Sequence, residues 1–139
     1  MTLTIHTDGG SRGNPGHSGF GVVVEDESKD ILYQRGIYLG IKTNNEAEYA
    51  GLIHALEWVS NYQNEHKIDS IIILMDSELI VRQINGQYKV KASHLRPLYL
   101  RCLDLISQIQ CPVSFSHTLR QGNETADSLA NLAMDNRYN

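Results

Sequence analysis

Residues 71–75 read Ile, Ile, Ile, Leu, Met, an uninterrupted apolar run that stops on Asp76. Such a run is too short for a buried helix and suits a strand covered on both faces, which implies a sheet with layers on either side. The N-terminus supplies a strand of another kind. There Leu3, Ile5 and Thr7 alternate with Thr2, Thr4 and His6, the period of a strand with one buried face, and this pattern also ends on an acid, Asp8.

The remaining elements follow from local pattern. Residues 20–25 and 31–39 are two more β-rich runs around the charged segment 26–30, so the first three strands form an antiparallel meander. Thr43, Asn44 and Asn45 offer helix-capping side chains. Residues 46–62 then carry Glu48, Leu52, Ala55, Leu56 and Val59 on one helical face. A short helix is expected over 77–84 with Asn85-Gly86 as its stop, and a further helix from Pro97 to about residue 108. Residues 112–117 make a fifth strand. Residues 123–135 make a closing helix with Ala126, Leu129, Ala130 and Ala133 inward. The order β-β-β-α-β-α-α-β-α predicts an α/β fold: a five-stranded mixed sheet with helices packed on both faces.

With 139 residues, the chain is expected to form a single domain over 1–139. Its 41% hydrophobic and 20% charged content is that of a globular protein able to bury a core unaided. Cys102 and Cys111 lack metal-type spacing to partner histidines and read as free thiols of a reducing compartment. No apolar run reaches membrane-spanning length, and Asp8 interrupts any signal-type core, so a cytoplasmic location is expected.

A net charge of −4 argues against holding nucleic acid by bulk electrostatics. The distribution is uneven, however. Between Leu79 and Leu103 there is no Asp or Glu, while Arg82, Lys89, Lys91, Arg96 and Arg101 form a basic strip, readable as a phosphate-binding surface or as a solvated helix face.

Four acids stand in unusual places: Asp8 and Asp76 at strand ends, Glu48 on an apolar helix face, and Asp127 beside the inward residues of the last helix. Carboxylates so placed repel one another and resist desolvation, and no matching Arg or Lys lies beside them in sequence. A divalent cation is the natural counter-charge. Magnesium in particular takes a few carboxylates together with waters and phosphate oxygens. The stretch Gly9-Gly10-Ser11-Arg12-Gly13-Asn14-Pro15-Gly16 is turn chemistry throughout. It is not a Walker A loop, because no Gly-Lys-Ser/Thr follows, and it precedes a strand where a dinucleotide fingerprint needs a helix. It offers backbone groups for sugar and phosphate, or simply a wide glycine turn.

Taken in order, residues 7–16 (TDGGSRGNPG), 43–48 (TNNEAE), Met75-Asp76-Ser77 and 123–127 (NETAD) closely resemble type 1 ribonuclease H, over nearly the whole chain. The resemblance implies the ribonuclease H fold and endonucleolytic cleavage of the RNA strand of RNA–DNA hybrids, leaving 5′-phosphate and 3′-hydroxyl ends. By motif position it implies that Asp8, Glu48, Asp76 and Asp127 are catalytic and hold two Mg²⁺ ions, with Mn²⁺ able to substitute. It places Gly9, Gly10, Ser11, Arg12, Asn14, Asn44 and Asn45 against the hybrid, whose wide minor groove shows 2′-hydroxyls on one strand only. Lys89 and Lys91 are expected to follow the DNA strand.

The chain also departs from that family. Glu78 stands where many relatives carry Gln, and a carboxylate there would repel a phosphodiester. Residues 85–91 are short where well-known bacterial members have a basic protrusion. The loop histidine frequent before the last helix is absent. The segment 117–123 instead resembles a shorter, archaeal-like subgroup in which an Arg occupies that loop, which makes Arg120 the catalytic candidate there and His117 its competitor.

Two other readings stand beside this one: a catalytically silent binding module of the same fold, and a KH-like RNA binder built on residues 13–16. The four acids oppose the first, since a pure binder gains nothing from acids facing phosphate. The position of the loop between strands opposes the second. The expected partner is the hybrid duplex, with no membrane, no obligate protein partner and a monomeric state.

Overall fold

The N-terminal alternation becomes the central strand of the sheet. In a computed structural model describing residues 1–137, apart from the Arg120 side chain, β1 spans Thr2–Arg12 and buries Leu3, Ile5 and Thr7 completely. It pairs antiparallel with β2 (Gly16–Glu25), which pairs antiparallel with β3 (Ile31–Lys42). On its other side β1 pairs parallel with β4 (Ser70–Met75), and β4 pairs parallel with β5 (Val113–His117). The sheet order is therefore β3-β2-β1-β4-β5, the mixed sheet expected.

Helices cover both faces. Alternate residues of β2 show this directly: Phe20 packs on Gly51 of α1 (Asn44–Tyr62), whereas Gly19 and Gly21 lie against Ala130, Met134 and Ala126 of α4 (Glu124–Asn136). Thr43 caps α1 through a reciprocal pair. Its hydroxyl accepts from the Glu46 N–H at 3.2 Å, and the Glu46 carboxylate accepts from the Thr43 N–H at 3.0 Å. Two further helices, α2 (Glu78–Ile84) and α3 (Arg96–Gln108), follow β4, and α3 packs against α1. Tyr49 of α1 donates to Gln83 of α2 at 2.7 Å, a buried polar contact that fixes α1 against α2. A 3-10 turn, Arg120–Asn123, leads into α4.

Two expectations are corrected. The glycine-rich stretch is not turn throughout, because residues 9–12 continue β1 and pair with 17–20 of β2, leaving only residues 13–15 to turn. Gly9 is required there by a close approach, since a Cβ would lie 2.6 Å from the Ala47 backbone, while Gly13 has a left-handed φ of +97°. The second correction concerns β4, which is not covered on both sides. Ile71, Ile73 and Met75 are buried, but Ile72 is 38% exposed, because α4 packs on β1, β2 and β3 and stops short of β4. Among the described residues no helix is long and apolar enough to cross a membrane.

Candidate active site

The parallel ladder between β1 and β4 ends at the pair Thr7 and Met75, so Asp8 and Asp76 are the next residues, side by side where that ladder stops. Asp76 follows the end of β4 as expected, but Asp8 is not at a strand end, because β1 stays paired with β2 as far as Arg12. Glu48 reaches them from the first turns of α1, where Gly9 lets the helix lie against β1. Asp8, Glu48 and Asp76 each present an oxygen within 4.8 Å of the others. Asp127 on α4 stands outside this trio, yet all four line one cleft of about 370 Å³. Residues far apart in sequence, from the first strand to the last helix, are thereby gathered at one edge.

The electrostatics of this cluster are adverse. Asp8 is held well above the ordinary carboxylate range, first by burial, then by its hydrogen bond to Asp127 and by the charges of Glu48 and Asp76. Glu48 is raised by burial and by Asp76, against the pull of the Gly9 N–H, which donates to its Oε1 at 3.2 Å. Glu48 Oε2 is buried with no hydrogen-bond partner among the described residues. Among the described residues no Lys, Arg or His forms an ion pair with Asp8, Glu48 or Asp76. A buried, incompletely bonded carboxylate beside two more acids is what a hard divalent cation satisfies, so the donor set fits a metal.

Of the expected substrate-facing residues, Gly9, Gly10, Ser11, Arg12 and Asn44 line the same cleft. The Ser11 N–H donates to Asn44 Oδ1 at 2.8 Å, and the Asn44 N–H donates to Asn14 Oδ1 at 3.0 Å, which ties the 13–15 turn to the start of α1. Gly10 and Asn44 face the cleft, and Asn45, the next residue of α1, is half-buried. The Arg12 guanidinium pairs with Asp135 and reaches the Asn131 carbonyl and side-chain oxygens at 3.4 Å. Asn131 in turn donates to the backbone carbonyl of Asp127 at 3.1 Å.

Lys89 and Lys91 are exposed on either side of Val90, which is 7% exposed and anchors their loop. Within the basic strip, Arg82 is paired with Glu78 at 2.8 Å and Arg101 with Asp104 at 3.2 Å. Lys89, Lys91 and Arg96 form no ion pair among the described residues. His117 ends β5 opposite Met75 and is exposed. The Arg120 side chain, the loop candidate, lies outside the described residues.

Sequence reasoning missed Asn123, Asn131 and His6. Asn123 and Asn131 each stand four residues from Asp127, the spacing that puts helical neighbours on one face, and His6 shares the Asp8 face of β1. Those spacings were the available signals.

Comparison with known proteins gives a consistent picture. A family model described as "Reverse transcriptase-like" matches residues 6–133. The Bifunctional protein Rv2228c of Mycobacterium tuberculosis is 40% identical over 97% of this chain, which spans only 36% of that relative's length. Ribonuclease H of Ruthia magnifica is 34% identical over 96% of this chain and 95% of its own. The crystal structure of LC11-RNase H1 in complex with an RNA/DNA hybrid superposes with a TM-score of 0.92 at 40% identity, covering 97% of this chain and 98% of that one.

Proposed function

Because the chain belongs to the type 1 ribonuclease H family, we propose that it is an endoribonuclease that hydrolyses the RNA strand of RNA–DNA hybrids, giving 5′-phosphate and 3′-hydroxyl ends. The observation that carries this is the convergence of Asp8, Glu48 and Asp76 within 4.8 Å beside the unpartnered Glu48 oxygen. Asp8, Glu48, Asp76 and Asp127 would hold two Mg²⁺ ions, or Mn²⁺ in their place. Such ions, when bound, activate water and stabilise the departing 3′-oxygen.

The chain's own groups do the rest. Asp8, which interacts with the other three carboxylates, would be a principal metal-holding group, and Glu48 would hold metal and face the ribose beside the scissile phosphate. The backbone of residues 9–12, extended as strand, offers groups to the minor groove, and Asn14, Asn44 and Asn45 add side-chain amides that distinguish a 2′-hydroxyl from hydrogen. Lys89 and Lys91, held outward by Val90, follow the DNA strand through its phosphates. Arg120 is assigned to the phosphate or its product, where a fixed cation can hold charge but not act as a base. We read residues 1–139 as one catalytic domain acting as a monomer in the cytoplasm.

The test is cleavage of an end-labelled hybrid with Mg²⁺. Cuts confined to the RNA strand, with 3′-hydroxyl products, support the reading. Binding without cleavage in both Mg²⁺ and Mn²⁺ would return the silent module.

A further inference from the structure

Asn123 is 1% exposed and precedes the first residue of α4, the position at which an asparagine ordinarily caps its own helix. It makes no such cap. Its side chain instead crosses to the central strand: Nδ2 donates to the Thr7 carbonyl at 2.6 Å, and Oδ1 lies 3.0 Å from His6 Nδ1. The far nitrogen of the same ring, Nε2, lies 2.9 Å from Glu25 Oε1 on β2. A helix start has thus given up a local hydrogen bond for a long-range one, and that bond ends on the residue directly before Asp8.

The geometry at both ends is specific. Thr7 is the last residue of the β1–β4 ladder and hands the chain to Asp8. Asn123 and Asp127 are four residues apart on one face of the entry to α4. The bond from Asn123 to the Thr7 carbonyl therefore ties the start of α4 to the strand residue next to Asp8, and Asp8 and Asp127 line the same cleft. The amide has only one useful orientation. With Nδ2 committed to a carbonyl, Oδ1 must face His6, and Glu25 holds that ring in place. The His6 and Glu25 side chains are 17% and 22% exposed beside an open crevice, so their pair orients more than it stabilises.

We propose that Asn123 is a positioning residue that sets Asp127 against Asp8, and that His6 and Glu25 lock its side-chain amide in the required orientation. The inference rests on the hydrolytic reading of the site. It concerns how the fourth carboxylate is aimed, which that reading leaves open.

The experiment compares wild type, Asn123→Ala, His6→Phe, Asp127→Asn and the Asn123→Ala/Asp127→Asn double variant, measuring kcat, KM for a hybrid and the rise in melting temperature on adding Mg²⁺. Asn123→Ala is expected to lower kcat at least about tenfold with KM within about threefold, and His6→Phe to lower it by a smaller factor. The Mg²⁺-induced rise in melting temperature should shrink in Asn123→Ala. In the Asp127→Asn background, Asn123→Ala should cost little more, because a residue acting through Asp127 has nothing left to aim. A purely structural role predicts the same fold-loss in both backgrounds, and that result overturns the proposal. So does a folded Asn123→Ala with wild-type kcat. If Asn123→Ala does not fold, His6→Phe decides: unchanged kcat refutes the lock and with it the proposal. Should wild type fail to cleave, the hydrolytic reading falls, and an Mg²⁺-induced melting shift equal in wild type and Asn123→Ala would remove this inference as well.

Discussion

Glu48 accepts a hydrogen bond from the Gly9 N–H with one carboxylate oxygen, while its other oxygen is buried with no hydrogen-bond partner among the described residues, in a carboxylate that approaches Asp8 and Asp76. The carboxylate is oriented by backbone before any metal arrives. Glu48→Gln keeps the oriented oxygen and places an amide where the orphaned one was, removing a charge from a repelling cluster. We expect Glu48→Gln to lose nearly all cleavage yet bind hybrid within about threefold of wild type, because the amide ligates Mg²⁺ poorly but preserves shape. Asp8→Asn and Asp76→Asn should behave alike. Substantial residual turnover in any of the three would remove that residue from the site.

The same repulsion sets the pH dependence of stability. Asp8 and Glu48 have folded-state pKa values raised above their unfolded values. The metal-free fold therefore binds more protons than the unfolded chain, and their contribution is fully present below the ordinary carboxylate range and is lost as pH rises through neutrality. Melting temperature without metal should fall over that interval, and Mg²⁺ should restore it at neutral pH. Asp8→Asn should raise the metal-free melting temperature, by roughly 3–5 °C for each kcal/mol of repulsion relieved in a chain of this size. Thermal melts across pH with and without Mg²⁺ check this, and a flat profile indifferent to metal would mean that the carboxylates do not interact.

Much of this was legible from residue pattern alone, for identifiable reasons. The run through Met75 ends on an acid at a true strand end, which locates Asp76. The alternation through Thr7 instead meets Asp8 inside a strand that runs on to Arg12, so Asp8 marks the end of the β1–β4 ladder and not the strand end its pattern suggests. The glycine stretch misled because glycine serves two purposes. At Gly13 it permits a left-handed turn, whereas at Gly9 it permits helix-to-strand contact within a continuing strand. Composition does not distinguish these. The β4 run misled for a related reason: apolar residues imply burial, yet the cover over Ile72 depends on where α4 ends. The contact from Asn123 to Thr7 spans 116 positions and carries no local signature.

The basic strip is narrower in space than in sequence. Arg82 and Arg101 are engaged by Glu78 and Asp104, whereas Lys89, Lys91 and Arg96 form no ion pair among the described residues. Replacing Lys89 and Lys91 by Gln should raise KM, leave kcat at saturation unchanged, and reduce the salt slope of binding by about 0.7–0.9 for each phosphate that is no longer neutralised. An unchanged slope would make these lysines an ordinary solvated surface.

Glu78 raises the opposite question, since it puts a negative charge two residues from Asp76. The structure shows it neutralised: Arg82 contacts Glu78 Oε1 through Nε at 2.9 Å and Nη2 at 2.8 Å, while the guanidinium also lies 5.4 Å from the centre of the Tyr88 ring. Arg82 holds the Glu78 carboxyl below its ordinary range, so it stays ionised and paired at working pH. A solvent-exposed pair of this kind adds little to stability, so its effect should appear in substrate binding instead. Glu78→Gln alone should change KM by less than about threefold, because the charge it removes is already screened, whereas Arg82→Gln should raise KM further by exposing that charge to the hybrid. Combining the two should return KM close to that of Glu78→Gln alone, a coupling that a double-mutant cycle reads directly. If Glu78→Gln by itself lowered KM about tenfold, the carboxylate would be facing phosphate despite its partner, and the screening argument would fail.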